Sequence, residues 1–234
     1  MIKLSGVLLA AALSLTALSS PVPVKGRTGL IKGPIGRGAL VLSQGLTQFG
    51  VTSLEPVSLI IDSPGGSIIA GNLIINAVDN LKSKGIQVNC YVTGMAASMA
   101  FQILLHCSNR YALPYSMFLW HSARIMNGGV LTSTAALELA QALDYVDRGL
   151  VGDMINTMKG DTQEILRHYR SETMHLADQV NALSPNFLKV ESTLHNSFDL
   201  LEDKEVLTSE TKNTFFFFFR FDIAKLVYIT NKRI

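Results

Sequence analysis

Hydrophobic and polar positions alternate along the middle of the chain in a pattern that predicts strands and helices in turn. The run Val57–Asp62 is apolar almost throughout, which is typical of a buried parallel strand. From Ser67 the apolar residues recur at helical spacing, and Gly85 provides a stop signal after them. The other predicted elements are strands at Gly29–Lys32, Ile86–Val92, Arg110–Leu113 and Met117–Trp120 and a helix at Ser98–Cys107. This order predicts an α/β fold with right-handed crossovers.

A long helical stretch follows at Leu131–Lys159, and its apolar residues lie on more than one face. A single solvated helix needs one apolar stripe about 100° wide, so the additional apolar surface predicts a partner. Asp161, with Glu164 three residues later, resembles a capping box that opens another helix. We therefore expect a homo-oligomer that uses the long helix.

The N-terminus has the pattern of a secretory signal. Lys3 precedes the uncharged stretch Leu4–Leu18, and the small residues Ala17 and Ser19 fit a cleavage site after Ser19. We expect residues 1–19 to be a signal peptide and the protein to be exported, to a periplasm or outside the cell. The alternatives are an uncleaved anchor that attaches the protein to a membrane and a buried first helix of a cytoplasmic protein. The uncharged stretch is shorter than the roughly 20 residues that span a bilayer.

Composition limits the remaining classes. Hydrophobic residues make up 48% of the 234 residues and charged residues 16%, so the chain can bury a core. The net charge is +2 and no basic run exceeds two residues, which argues against nucleic-acid binding through phosphate contacts. Cys90 and Cys107 are too few for a metal knuckle or a disulfide framework; the pair could oxidise in an exported protein, but we expect buried free thiols. We expect one domain over residues 20–200 and a poorly defined tail at 201–234, where Phe215–Phe219 fits no helical or strand period.

Three short segments bring reactive groups or bare backbone to the ends of predicted strands. The turn Ser63–Gly66 lets a ligand approach backbone N–H groups. Ser98 follows Gly94 and begins an apolar helix, whose dipole favours a developing oxyanion. His121 closes an apolar strand at the carboxyl edge of the sheet, where the sites of α/β proteins gather. Taken singly, these are a tight turn, an N-capping serine and a structural histidine; together they predict a nucleophile and a general base.

Other site motifs are absent from the sequence. No G-x-S-x-G surrounds Ser98, and Gly33–Gly38 lacks the Walker lysine and the dinucleotide spacing. His168, Glu172 and His175 stand at i, i+4 and i+7, so a helix there would offer zinc ligands as an alternative. Without a His-Glu-x-x-His arrangement, we expect no metal and no cofactor.

Three segments together resemble the signature regions of the Clp-type serine peptidases, the proteolytic subunits of Clp proteases. They are IIDSPGGSIIAG at Ile60–Gly71, VTGMAASMAF at Val92–Phe101 and RYALPYSMFLWH at Arg110–His121, in the order of that family. The resemblance runs from about Gly29 to about Leu183. It implies a crotonase-like (ClpP-type) α/β fold, a spiral of βαβ units with a protruding handle helix that corresponds to Leu131–Lys159.

The resemblance also implies roles for individual residues. Ser98 would be the nucleophile and His121 the general base. The N–H groups of Gly66 and Met99 would form the oxyanion hole.

The third member of the triad is the weakest point of the resemblance. The family carries an aspartate early in the segment after the handle, and continuing the alignment from Ile165 gives Glu172 this position. A glutamate orients an imidazole as aspartate does, with a longer reach. Asp178 is the alternative. The chain also departs from the family after His121, where Ser122–Arg124 replaces the usual Gln-Pro.

These roles imply a serine endopeptidase that hydrolyses peptides or unfolded proteins and assembles into a homo-oligomeric ring. Family members usually feed from cytosolic ATP-driven unfoldases, which an exported protein would not meet, so we expect no unfoldase partner if the signal is used. Three alternatives stay open. The first is a membrane-associated relative of signal peptide peptidase, which pairs its serine with lysine. The second is a catalytically inactive scaffold ring, and the third is an acyl-CoA lyase of the wider superfamily.

Overall fold

The computed structural model describes residues 27–125, 132–192 and 206–208, the last three by their backbone alone. The predicted signal peptide and the Phe-rich segment lie outside these ranges. The strands within them are β1 (Thr28–Lys32), β2 (Val57–Ser63), β3 (Val88–Ala97), β4 (Asn109–Ala112), β5 (Met117–Leu119), β6 (His175–Leu176), β7 (Lys189–Val190) and β8 (Val206–Thr208). The helices are α1 (Ala39–Thr52), α2 (Ile68–Ser83), α3 (Met99–His106), α4 (Ser133–Thr157), α5 (Thr162–Ser171) and α6 (Ala177–Leu183).

The strands form one mixed sheet with the order β6-β5-β3-β2-β1-β8, and β4 and β7 extend it beside the first part of β3. Every pair of neighbouring strands is parallel except β5 and β6. Parallel strands joined by helices confirm the predicted α/β class. The carboxyl ends of β2, β3 and β5 consequently meet at one edge of the sheet.

Two helices begin where the sequence predicts local start signals. The hydroxyl of Ser67 accepts the N–H of Ala70 at 3.3 Å and caps α2. The carboxylate of Asp161 accepts the N–H groups of Gln163 and Glu164, at 2.8 and 3.3 Å, and caps α5. Both predicted helix starts are confirmed.

One helix was not expected from the pattern. The pattern predicts no element between Gly38 and Val57, yet α1 occupies this segment. Its buried residues Leu42, Leu46 and Phe49 follow helical spacing and face the sheet core. The polar residues and glycines between them weaken the signal.

Strand β3 differs from its predicted bounds. The prediction Ile86–Val92 ends it before Gly94, whereas the strand continues to Ala97. Residues Met95–Ala97 pair with β5 after the first part of β3 has paired with β4. One long strand therefore carries the chain directly up to Ser98.

The two cysteines form a disulfide, so the expectation of free thiols is wrong. Cys90 lies in β3 and Cys107 directly follows α3, and their Cα atoms are 6.0 Å apart. The chain reverses between β3 and α3, which returns Cys107 to the side of β3 after 17 residues. Both residues are buried in the main core.

Helix α4 confirms a long helix after the segment of His121. It has 25 residues and packs against α3 and α5, but Met154 is its single fully buried residue. Leu137 and Tyr145 are 61% and 81% exposed. The first half of α4 therefore presents apolar surface that the described chain does not cover.

None of the described helices is long and apolar enough to span a bilayer. The predicted alternative of an N-terminal anchor lies outside the described residues.

Candidate active site

Ser98 occupies a sharp turn between β3 and α3. Its backbone has φ +54° and ψ −122°, a region that residues with a β-carbon rarely adopt. Its side chain makes no capping hydrogen bond, so the interpretation of Ser98 as a helix-capping serine is wrong. The residue is half-buried, and among the described residues its hydroxyl has no hydrogen-bond partner. The backbone turn therefore presents this hydroxyl to the site.

The Gly65–Gly66 turn lies directly against Ser98. A β-carbon on Gly65 would approach the β-carbon of Ser98 to 2.6 Å and the backbone nitrogen of Met99 to 2.8 Å. Gly65 also has φ +90° and Gly66 φ +151°, which favour glycine. Only a residue without a side chain allows this approach at Gly65.

The turn is fixed by hydrogen bonds on the side away from Ser98. Ser63 is fully buried, and its hydroxyl donates to the carbonyl of Gly33 at 2.7 Å while it accepts the N–H of Gly65 at 3.1 Å. Ile35 bridges the turn, donating its N–H to the carbonyl of Gly65 and accepting the N–H of Ser67 at 2.8 and 2.9 Å. Gly66 lies between Gly65 and Ser67 in the sequence, and its own N–H makes no hydrogen bond in the described structure.

Two backbone donors of these turns stay unpaired in the described structure. In the described part of the chain, no hydrogen bond occupies the N–H of Gly66 or that of Met99, the first residue of α3. Unpaired N–H groups at a glycine turn and at a helix N-terminus are suited to stabilising a developing negative charge on oxygen. The arrangement can support acyl-transfer chemistry at Ser98.

His121 follows the end of β5, the strand next to the last residues of β3. Ala97 and Leu119 are register partners, and the N–H of Ser98 donates to the carbonyl of Leu119 at 2.7 Å. This pairing brings Ser98 and His121 to the same edge of the sheet. No hydrogen bond joins their side chains among the described residues; such bonds often close only when substrate binds.

The imidazole of His121 is already held in one tautomer. Its Nδ1 lies 2.7 Å from the carbonyl oxygen of Ser122, and because a carbonyl only accepts, Nδ1 carries the proton. The lone pair is then on Nε2. This is the tautomer in which a histidine can take a proton from a serine hydroxyl.

A stack of rings supports the residue before the histidine. Trp120 is buried and lies between Phe101 and His175, with ring centroids at 4.8 and 4.6 Å. The His168 ring meets His175 edge-on at 4.5 Å. Burial, followed by the nearby charges of His168 and Arg167, lowers the pKa of His175 to about 4, so the stacked ring is neutral near pH 7.

Both predicted third triad residues, Glu172 and Asp178, have other partners in the described structure. Glu172, with φ +53° just after α5, forms an ion pair with Arg124, three residues beyond the histidine. Asp178 is exposed and accepts the N–H of Gln179 at 2.9 Å. Among the described residues, neither carboxylate hydrogen-bonds the imidazole. Glu172 pairs with Arg124 because a guanidinium is a stronger partner for a carboxylate than a neutral imidazole is.

A different carboxylate lies close to the histidine segment. Asp147, in the second half of α4, accepts the N–H of Ala123 at 2.6 Å and the hydroxyl of Tyr169 at 2.6 Å. Sequence reasoning does not single it out, because Asp147 is one of many charged residues on a long helix. No local signal marks the contact, which depends on how α4 crosses the end of the sheet.

The alternative metal face does not form. Helix α5 ends at Ser171, so Glu172 and His175 do not continue the turn that carries His168. No group of three or more His, Cys, Asp or Glu side chains in the described ranges is arranged to hold a metal ion.

Comparison with known proteins relates this site to one family. The sequence model of the Clp protease family matches residues 44–181, more than half of the chain. The ATP-dependent Clp protease proteolytic subunit 2 of Chlamydia trachomatis (serovar D) is 34% identical over 104 residues, 44% of this chain and 48% of that protein. Subunit 1 of Corynebacterium jeikeium is 34% identical over 111 residues, 46% of this chain and 55% of that protein.

The match spans about half the length of these curated relatives. The family region includes the Gly65–Gly66 turn, the β3–α3 turn with Ser98, and His121. The parallel sheet, the connecting helices and the long α4 agree with the fold that the signature segments imply. On the extent of the family match and the agreement of the fold, the chain belongs to the Clp protease family and has its crotonase-like fold.

Proposed function

We propose that the protein is a serine endopeptidase that hydrolyses peptide bonds. In this mechanism the Nε2 of His121 accepts the proton of Ser98 as its Oγ attacks the scissile carbonyl carbon. The N–H groups of Gly66 and Met99 stabilise the oxyanion of the tetrahedral intermediate. His121 then gives the proton to the leaving amine, and water hydrolyses the acyl-enzyme by the reverse sequence.

The observation that carries this proposal is the contact between the glycine turn and the serine turn. Gly65 packs against Ser98 so closely that a β-carbon would collide, and the residues that follow these two, Gly66 and Met99, have unpaired N–H groups in the described structure. A structural serine at a helix start would use its side chain as a cap, as Ser67 does in α2. Ser98 instead holds an uncommon backbone conformation with its hydroxyl unused, which supports a catalytic role.

The substrates we propose are peptides and unfolded proteins, and the active form we propose is a homo-oligomeric ring. The relatives' names describe proteolytic subunits, which supports protein substrates. Export through residues 1–19 would separate the protein from ATP-driven unfoldases, so we propose cleavage without one. The disulfide between Cys90 and Cys107 supports an oxidising compartment, because such bonds are rare in the cytosol.

A fluorophosphonate probe with intact mass spectrometry tests the nucleophile. We expect one adduct on the wild type and none on Ser98→Ala, together with a loss of peptide hydrolysis of roughly 1,000-fold or more. Ser122→Ala is the matched control, because Ser122 contributes its carbonyl to His121 and keeps that group in the variant. Labelling of Ser98→Ala at the wild-type rate would overturn the proposal.

The same probe separates the alternatives. His121→Ala should lose labelling if histidine is the base, whereas a serine–lysine peptidase related to signal peptide peptidase would keep it. A catalytically inactive scaffold ring would leave even the wild type unlabelled. Glu172→Gln should lower turnover strongly if Glu172 serves as the third triad residue after leaving Arg124.

A further inference from the structure

The carboxylate of Asp147 joins three elements around the histidine segment. Its Oδ1 accepts two short hydrogen bonds, both 2.6 Å, from the backbone N–H of Ala123 and from the hydroxyl of Tyr169. Ala123 lies two residues after His121, Tyr169 lies in α5, and Asp147 itself lies in α4. One oxygen atom therefore fixes the histidine segment to two helices.

His121 lies between two anchored residues. On one side Trp120 is stacked between two rings, and its indole N–H points to the carbonyl of Ile165 in α5 at 3.4 Å. On the other side, the methyl group of Ala123 cannot make a polar contact. The hydrogen bond from its backbone N–H to Asp147 therefore holds this residue in place. The carbonyl of Ser122, which accepts the Nδ1 proton of His121, belongs to the peptide unit whose N–H is that of Ala123.

That shared peptide unit connects Asp147 to the imidazole. A hydrogen bond to the N–H of a peptide orients the whole planar unit, including its carbonyl. A charged acceptor also polarises the unit and strengthens the bond that its carbonyl accepts. The chain of contacts runs from Asp147 through the Ser122–Ala123 peptide to Nδ1 of His121.

Tyr169 holds the carboxylate in place. It is 5% exposed, and burial, together with the hydrogen bond and the charge of Asp147, raises the pKa of Tyr169 above its usual value. The phenol therefore stays protonated near neutral pH and donates to Asp147. The carboxylate is left with a defined orientation toward Ala123.

We propose that Asp147 is a positioning residue for His121, which holds the imidazole and its tautomer through the Ser122–Ala123 peptide. This rests on the proposed peptidase function. In a triad an acid hydrogen-bonds the histidine directly; here the orienting carboxylate acts through one peptide unit and comes from the long helix. Glu172 pairs instead with Arg124, the residue after Ala123, through an ion pair at the surface.

The test compares Asp147→Ala with Asp144→Ala in the full-length protein. Asp144 lies on the same helix and, among the described residues, bonds only Arg148 at the surface, so it is a matched control. For hydrolysis of a short fluorogenic peptide, we expect Asp147→Ala to lower kcat about 10- to 100-fold with KM within about 2-fold, because a misplaced base affects the chemical step. Asp144→Ala should match the wild type in both constants.

Two further variants separate positioning from folding. Asp147→Asn keeps an oxygen that accepts both bonds, so we expect kcat within about 5-fold of the wild type. Tyr169→Phe keeps the Ala123 bond and should lose less activity than Asp147→Ala. An Asp147→Asn variant as impaired as Asp147→Ala, or an unimpaired Asp147→Ala, would overturn the inference.

Different results would contradict the proposed function and the role of Asp147. If the wild type is not labelled by the fluorophosphonate probe, the peptidase proposal itself is wrong. If the wild type is labelled and Asp147→Ala is labelled at the same rate, the peptidase proposal stands and the role of Asp147 does not. Thermal unfolding of each variant confirms that the kinetic comparison uses folded protein.

Discussion

At the scale of single residues, the site depends on conformations that neighbouring atoms impose. A positive φ at Ser98 costs on the order of 1–3 kcal/mol and persists only where the surroundings hold it. Here the N–H of Ser98 is tied to the carbonyl of Leu119, and the first residues of α3 are buried. The Gly65–Gly66 turn fills the space on the other side. Packing around the turn thus holds Ser98 in its uncommon backbone conformation.

A buried histidine next to this site makes a prediction about pH. His175 has a pKa of about 4 in the folded protein, against about 6.5 for a free histidine. Between these values the unfolded state binds more protons, so the free energy of unfolding falls as the pH decreases from about 6.5 to about 4. The contribution of His175 to this loss should reach about 3 kcal/mol, most of it above pH 4.

His175→Phe provides the comparison, measured by urea unfolding between pH 4 and 7. Phenylalanine keeps the stack on Trp120, and no hydrogen bond is lost because the Nε2 of His175 has no partner among the described residues. We expect the variant to resemble the wild type at pH 7 and to lose less stability toward pH 4. Equal losses in both proteins would contradict the lowered pKa of His175.

At the scale of elements, the disulfide closes the β3–α3 unit that carries Ser98. We expect Cys90→Ala/Cys107→Ala to lower the free energy of unfolding by about 3 kcal/mol, because the bond closes a loop of about 17 residues. Reductant added to unfolded wild type should produce a similar loss, and it should leave the double variant unchanged. Two free thiols in the purified wild type, counted by mass after alkylation, would contradict the pairing.

Elements with strong local signals could be predicted from the sequence. The continuous apolar run of β2 and the cap of α2 at Ser67 lie where the pattern puts them. Helix α1 was missed because its polar residues and glycines dilute the spacing of Leu42 and Leu46, and packing against the sheet decides its structure. The end of β3 was missed because pairing with β5, a non-local contact, extends it.

The parts of the candidate site divide in the same way. Ser98 and His121 carry local signals, since each follows an apolar strand at the carboxyl edge of the sheet. Asp147 has no such signal, because it meets the N–H of Ala123 only after α4 has packed across the sheet. The Cys90–Cys107 bond likewise depends on the reversal of the chain between β3 and α3.

At the scale of the whole molecule, helix α4 extends the structure beyond its core. At 1.5 Å per residue, its 25 residues span about 37 Å. Its second half packs on α3 and α5 and contributes Asp147 and the buried Met154. No residue in its first half is buried, although several are apolar. Helix α4 therefore both contacts the segment that follows His121 and carries the exposed apolar surface.

This division predicts which changes alter assembly. Leu137 and Tyr145, 61% and 81% exposed, should be covered by a second copy of the chain, since exposed apolar surface of this kind marks an interface. We expect the wild type to form a homo-oligomer and Leu137→Glu/Tyr145→Glu to form smaller species, measured by light scattering coupled to size-exclusion chromatography. Deletion of residues 214–234 is the control and should leave the number of chains per particle unchanged. A monomeric wild type, or a double variant that assembles like it, would contradict the role of α4; a monomeric deletion variant would instead show that the Phe-rich segment drives assembly.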